Sequence, residues 1–250
     1  MSSEHDPPRG FNFSPWTELP VAAPPAASAG GPAQTPGVAP WERVVAVLLL
    51  VGLAPVMLLV ALAIKIESPG GPVIYRQQRV GVDRRRSPLS ASHGAGEERR
   101  KRIGYGKLFD VLKFRTMIPN AERATGPVWA TERDPRVTRV GRVLRKLRLD
   151  EIPQLFNVLR GEMRLIGPRP ERPHFVERLS ADIREYPRRQ RIPPGITGLA
   201  QVERSYDATV DDVRKKVKYD IFYVENRCNM LNVKIFIKTI LVAVLGRGAR

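Results

Sequence analysis

Hydrophobic and polar positions divide this chain into one long apolar run and a series of short amphipathic segments. Val44 to Ile64, VVAVLLLVGLAPVMLLVALAI, carries no charged side chain and is bounded by Glu42 and Arg43 before it and by Lys65 and Glu67 after it. A run of roughly twenty apolar residues is enough helix to cross a bilayer. Gly52 and Pro55 stand near its middle, where proline removes a backbone hydrogen bond and crowds the preceding turn, so a kink is expected. Residue physics favours a kinked span. The alternative is a re-entrant helix-break-helix that dips into the membrane and returns to the face it left. The basic region downstream sets the polar part of the chain on the cytoplasmic side.

Beyond the apolar run the periods shorten. Alternation along Val73–Val80, VIYRQQRV, predicts a strand, and Lys107–Met117, KLFDVLKFRTM, predicts a second. The segment from Asp83 to Arg102 reads as a long hairpin loop, its basic clusters Arg84–Arg86 and Arg99–Arg102 solvated or touching lipid headgroups. Val137, Val140, Leu144 and Leu147 share one helical face, while Arg139, Arg142, Arg145 and Arg148 recur on another. Pro173–Tyr186 is amphipathic through Phe175, Val176, Leu179 and Ile183. Thr209 and Asp212 have capping-box spacing and open a helix to about Asn226. Met230–Leu245 is a terminal helix with Lys234 and Lys238 on one face; it either lies in the headgroup plane or packs on the core.

Composition narrows this picture. Met1 to Pro40 is rich in Pro, Ala, Gly and Ser and too poor in large aliphatics to offset the entropy of ordering it, so it reads as a disordered tail and not as a secretory signal. Lys and Arg total 42 against 25 Asp and Glu, a net charge of +17, which implies a polyanionic partner: nucleic acid, an anionic membrane face or a phosphorylated substrate. The single Cys228 excludes an internal disulfide, and His5, His93 and His174 are too scattered for a zinc site.

The candidate chemistry lies between Arg148 and Glu171, where the adjacent carboxylates Asp150 and Glu151 follow the arginine stripe. Pro153 in a first turn, the apolar set Leu155, Phe156, Val158 and Leu159, and Gly161 at a left-handed cap position predict a helix whose N-cap is Asp150 or Glu151. Two readings are open. The pair is an ordinary helix cap, or it is a site where carboxylates, guanidiniums and a helix N-terminus gather phosphate. Gly167–Pro170 and Pro193–Gly198 are stiff turns beside basic residues, compatible with punctuation or with a phosphate contact.

In order along the chain, Ser68-Pro-Gly-Gly-Pro-Val-Ile-Tyr-Arg-Gln-Gln-Arg-Val-Gly81, Lys113-Phe-Arg-Thr-Met117, Asp134-Pro-Arg-Val-Thr-Arg-Val-Gly141, Leu149-Asp-Glu-Ile-Pro-Gln154, Gly167-Pro-Arg-Pro170 and Pro194-Gly-Ile-Thr-Gly-Leu-Ala-Gln201 resemble the bacterial sugar transferases, small monotopic polyprenyl-phosphate phosphoglycosyl transferases. The resemblance covers roughly Trp41 to Val244. It implies an α+β, mostly helical monotopic membrane protein with a β-hairpin and interfacial amphipathic helices. A re-entrant membrane helix over residues 41–67, broken at Pro55, would precede a catalytic domain over 68–250 on the cytoplasmic face of the bacterial inner membrane.

The resemblance also implies transfer of a sugar 1-phosphate from a UDP-sugar to undecaprenyl phosphate, with release of UMP, in exopolysaccharide or other glycoconjugate synthesis. Asp150 would be the nucleophile, forming an aspartyl-phosphosugar intermediate, and Glu151 its partner, the two together holding Mg2+. Lys113, Arg115 and Arg145 would neutralise phosphate, and Arg169 and Arg189 would bind nucleotide or phosphate. Membrane lipid is then the expected surface partner, nucleic acid is not, and self-association is open. The basic insertion 83–102 is longer than the family's usual connection, and Gln190 and Pro193 stand where many members carry His and a basic residue. A competing class, a non-enzymatic membrane-anchored adaptor binding anionic lipid or nucleic acid through its basic helices, accounts for the charge and the apolar run but not for the ordered motifs.

Overall fold

The computed structural model describes residues 37–83, 106–121, 134–203 and 210–244. Most of the tail and the basic loop from Arg84, together with Thr209 of the expected capping box, lie outside these residues. The apolar run forms α1 (Pro40–Glu67), a 28-residue helix with proline at its first position, where a missing N–H costs nothing. It starts within the segment read as tail, and Val38 just before it is already buried in the core. The helix is long and apolar enough to cross a membrane, and only 11% of its most apolar window is buried. A core helix of a soluble protein would be mostly covered, so this surface is built for an apolar solvent.

The expected break at Pro55 is corrected: α1 is helical on both sides of Pro55 and through it. Proline withholds one donor and crowds one turn, and the hydrogen bonds around it keep the helical state. Both ends of α1 are tied to the polar domain. At the N-terminal end, the buried Glu42 carboxylate accepts from Arg164 Nε (3.1 and 3.2 Å) and from the Leu165 amide (3.3 Å). At the C-terminal end, Glu67 accepts from the Arg139 and Val140 amides at 2.7 and 2.9 Å.

β1 (Ile74–Val80) and β2 (Leu108–Phe114) form the expected antiparallel hairpin, in register from Ile74 opposite Phe114 to Val80 opposite Leu108. α2 (Arg139–Lys146) follows, capped by the Thr138 hydroxyl accepting from the Gly141 amide at 2.9 Å. Its apolar face is narrower than expected: Leu144 is buried against Val60, Ile64 and Phe114, while Leu147 is exposed together with Val143. A 3-10 turn (Leu149–Glu151) leads into α3 (Gln154–Leu159), and Gly161 closes it at φ 75° as expected. Then come β3 (Arg164–Ile166), α4 (Pro173–Asp182), a second 3-10 turn (Tyr186–Arg191), β4 (Gly195–Thr197), α5 (Leu199–Glu203), α6 (Val210–Asn226) and α7 (Asn229–Val244).

β3 and β4 pair in parallel, Arg164 opposite Gly195 and Ile166 opposite Thr197. No sequence pattern announced this pair, since each strand has three residues. It joins the two proline turns back to back: the Gly167 amide donates to Thr197 O (2.8 Å) and the Gly195 amide to Pro168 O (2.9 Å). The approach is so close that a Cβ on Gly195 would lie 2.1 Å from Gly167 N.

Candidate active site

Asn157 is the residue that fixes the site's position. It is fully buried in α3, accepts from the Leu112 amide at 3.0 Å and donates to Asp110 O at 2.7 Å, so its amide side chain continues the ladder on the free edge of β2. The 3-10 turn just before α3 is thereby brought against Lys113. Sequence reasoning passed over Asn157, although a lone amide in the apolar run Leu155–Leu159 is the type of position where a buried polar group must find partners.

The dyad is not a helix cap. Neither Arg148, which precedes the 3-10 turn, nor Pro153, which precedes α3, makes a side-chain cap bond, and Asp150 and Glu151 lie inside the turn. Arg148 sits in the left-handed region at φ 58°, a conformation a non-glycine residue adopts at a cost of about 1–3 kcal/mol. That bend turns the two carboxylates inward, away from helix amides and toward cations.

The two acids then part company. Glu151 Oε1 accepts from Arg169 Nη2 at 2.7 Å and from Lys113 Nζ at 2.9 Å. Burial acts to raise its pKa, but Arg169 and Lys113 outweigh burial and hold the carboxyl far below the usual carboxylate range. Asp150 is equally buried, yet its Oδ1 has no hydrogen-bond partner. Burial pushes its pKa up; Lys113 pulls against that, Glu151 adds to it, and Arg169 and Arg145 pull down more weakly. Arg145 Nε donates to Thr116 Oγ1 at 2.9 Å, and burial lowers its pKa while Asp150 and Asp134 support the charge. One carboxylate is thus locked between two cations, and its neighbour is desolvated with one oxygen unengaged.

Of the sequence-chosen cations, Lys113, Arg145 and Arg169 gather at the dyad. Arg115 is buried elsewhere, donating to Ser68 O just after α1. Arg189 is buried behind Arg169: Nη1 donates to the Tyr186 hydroxyl (2.8 Å), Nη2 pairs with Asp220 (2.6 Å), and Nη2 also donates to the Arg169 carbonyl (2.9 Å). The arginine stripe splits in the same way, Arg139 and Arg142 staying exposed while Arg145 turns inward. Arg79 braces the proline turn from β1, donating to Pro170 O at 3.0 Å and pairing with Glu171.

Among the described residues no cluster of three or more His, Cys, Asp or Glu forms a ready-made metal cage. Two adjacent carboxylates, one with an orphaned buried oxygen, do suit an ion such as magnesium, which binds through one or two carboxylates and keeps water and substrate oxygens as its other ligands. The arrangement as a whole can hold a polyphosphate against a desolvated oxygen nucleophile.

The sequence pattern of the family described as bacterial sugar transferase matches residues 39–90 and 90–246 of this chain. It is 44% identical over 197 residues to the UDP-N-acetylgalactosamine-undecaprenyl-phosphate N-acetylgalactosaminephosphotransferase of Aeromonas hydrophila, covering 79% of this chain and 41% of that protein. It is 41% identical over 203 residues to the UDP-glucose:undecaprenyl-phosphate glucose-1-phosphate transferase of Caulobacter vibrioides, covering 80% of this chain and 66% of the relative. Identity to the exopolysaccharide production protein ExoY of Sinorhizobium fredii is 35% over 223 residues, covering 84% and 86% of the two chains. The chain therefore spans from 41% to 66% of the length of the first two relatives. The matched region runs from α1 through the dyad-bearing turn to α7, and by that match the chain belongs to the bacterial sugar transferase family.

Proposed function

We propose that this protein transfers a sugar 1-phosphate from a UDP-sugar to undecaprenyl phosphate, forming polyprenyl-diphosphate-sugar and UMP at the start of exopolysaccharide or other glycoconjugate assembly. The observation that carries this reading is the contrast within the dyad: Asp150 Oδ1 is buried and unpartnered, while Glu151 is clamped by Lys113 and Arg169. A largely buried carboxylate with one oxygen unbonded and cations close by is suited to attack phosphorus.

Asp150 attacks the phosphorus that bears the sugar. A bond forms between its carboxylate oxygen and that phosphorus, and the bond to the bridging oxygen breaks, so UMP leaves with the electron pair. The acceptor's phosphate oxygen then attacks the same phosphorus, and Asp150 is released. Lys113, Arg145 and Arg169 neutralise the equatorial phosphate oxygens, and Glu151 holds Lys113 and Arg169 in register for this. Asp150 and Glu151 would hold Mg2+, which supplies charge neutralisation for the diphosphate when bound. Arg189 and Arg115 act from behind the site, one through the Arg169 carbonyl and one through Ser68.

The membrane arrangement follows from the two tethers of α1. A straight helix of this length measures about 42 Å, more than a bilayer's hydrocarbon core, yet Glu42 and Glu67 are both fastened to the same polar domain. This supports a re-entrant arrangement in which α1 stays helical through Pro55, curves there without breaking and returns to the face it entered, which we take as the cytoplasmic face of the bacterial inner membrane. α7 supports an interfacial position: Met230, Val233, Phe236, Ile237, Ile240 and Leu241 are exposed along one helical face.

The test is to identify the released nucleotide when the purified protein is given UDP-sugars, magnesium and undecaprenyl phosphate. UMP and a lipid-soluble product are expected, and Asp150→Asn abolishes both. Release of UDP, or full transfer by Asp150→Asn, would overturn the covalent reading.

A further inference from the structure

We propose that the apolar cavity beside Glu151 receives the first isoprene units of the lipid acceptor, so that the enzyme recognises the acceptor's chain as well as its phosphate. The proposal rests on the transferase reading above. The cavity measures about 210 Å³, and its walls include Ile152, Leu155, Ile196, Val202 and Val242 together with the charged Arg148 and Glu151.

Its charged and amide lining residues, Arg148, Glu151 and Gln201, come from the dyad turn and α5. Glu151 carries its bonds to Lys113 and Arg169, and Gln201, also lining the cavity, accepts from Arg169 Nη1 at 3.4 Å. The other walls are branched aliphatic side chains and the hydroxyls of Thr197 and Thr239. A uracil or a sugar placed against these aliphatic walls would leave several hydrogen-bonding groups facing hydrocarbon. A hydrocarbon tail loses nothing and removes apolar surface from water. The two hydroxyls in the wall make no demand on a ligand, because Thr197 Oγ1 and Thr239 Oγ1 bond each other at 2.8 Å and Thr239 also donates to Ile235 O.

Position points to the same occupant. One wall belongs to α7, whose inward face carries Ile235, Thr239 and Val242 while its outward face is the exposed apolar stripe. A chain entering between α7, β4 and the dyad turn passes directly from a lipid-facing surface to the reacting carboxylates. A molecule with an anionic head and an isoprenoid tail satisfies the dyad's cations and the aliphatic walls at once.

The experiment compares KM for undecaprenyl phosphate with KM for the UDP-sugar in the full-length protein reconstituted in lipid nanodiscs. Val242→Trp and Val202→Trp, on two different walls, fill the cavity. The acceptor KM is expected to rise roughly tenfold or more, the loss from shutting out one buried branched unit, while the UDP-sugar KM moves by less than about twofold. Val242→Ser and Val202→Ser, which cannot overfill, are expected to shift the acceptor KM in the same direction and decide the matter if the tryptophan variants do not fold. In the wild type, isoprenyl phosphates of increasing chain length should bind better over the first units and then level off. An unchanged acceptor KM in all variants, or a rise confined to the UDP-sugar KM, overturns the proposal alone. A wild-type protein that releases no UMP from any UDP-sugar overturns the transferase reading and this proposal with it.

Discussion

Arg189 donates from Nη2 to the backbone carbonyl of Arg169 at 2.9 Å, so a buried guanidinium fixes the backbone of the residue that clamps Glu151. Its other bonds, to Tyr186 and Asp220, use the fork geometry that lysine lacks. Arg189→Lys is therefore expected to lower kcat about tenfold or more while KM for the UDP-sugar stays near wild type, the pattern of a lost transition-state arrangement. Combined with Arg169→Ala it should add little, because both act on one clamp. An unchanged kcat with a raised KM would instead put Arg189 on the substrate.

The two acids of the dyad should separate stability from activity. Glu151 neutralises two cations, and removing one member of a buried charge cluster costs about 3–5 kcal/mol. Glu151→Gln is thus expected to lose both activity and thermal stability. Asp150 is buried with its Oδ1 unpartnered, and burial raises its pKa. Asp150→Asn should lose activity while its melting temperature equals or exceeds that of the wild type. Thermal melts of the two variants side by side check this; a marked destabilisation by Asp150→Asn would contradict it.

Glu42 and Arg164 lie 122 positions apart and form a buried pair that ties the foot of α1 to β3. Breaking it by Glu42→Ala should cost about 3–5 kcal/mol, since Arg164 is left charged and enclosed. Proteolysis near α1 and denaturant midpoints in detergent measure this. A Glu42→Ala protein as stable as wild type would show that the pair does not hold the membrane helix in place.

Acid should weaken the loop that leads into α2. The Arg136 side chain bonded to Asp134 lowers that carboxyl to about 2; burial opposes this, and the Arg136 amide adds to the lowering. A depressed carboxylate stabilises above its unfolded pKa, near 3.9, and that contribution disappears as pH falls through about 2. Asp134→Asn is expected to cost at most about 2 kcal/mol at pH 7. The gap to wild type should close below pH 4, as followed by unfolding midpoints across pH. A gap independent of pH would remove the ionised carboxylate from the explanation.

Glycine positions offer a paired contrast. Gly195→Ala places a Cβ 2.1 Å from the Gly167 backbone nitrogen, where backbone cannot give way, and about 3 kcal/mol or more of destabilisation is expected. Gly52→Ala, with nothing within 4 Å, should be tolerated or stabilise α1 by up to about 1 kcal/mol. Expression and melting temperature of the two variants report the difference.

Legibility in the sequence followed the range of the interactions. The apolar run, the hairpin, Gly161 and the terminal helix were visible because periodicity and composition act over neighbouring residues. The assignment of Asp150 or Glu151 as a helix cap failed because Arg148 leaves the helical region and turns both acids inward, which a helix-start pattern does not contain. Arg115 and Arg189 resemble phosphate ligands by motif, and the contacts that set them away from the dyad, to Ser68 and to Asp220, Tyr186 and Arg169, are long-range ones that no motif contains. Asn157 and Glu42 were overlooked because a single polar residue beside an apolar run has meaning only once its distant partner is known.

By itself the sequence determined that the protein meets a membrane, that its polar domain is strongly basic, and that an ordered set of motifs surrounds two adjacent carboxylates. These are properties of local composition and spacing. Only the tertiary structure decided which carboxylate is locked and which is left unpaired, which cations reach them, and that an aliphatic cavity opens beside them. Those outcomes depend on long-range packing, through the Asn157 bridge to β2, the β3–β4 pairing and the two tethers of α1. Arg169 and Lys113 reach Glu151 and leave Asp150 Oδ1 unbonded, so two equally buried and chemically similar neighbours meet opposite electrostatic fates, and that placement is a property of the folded chain alone.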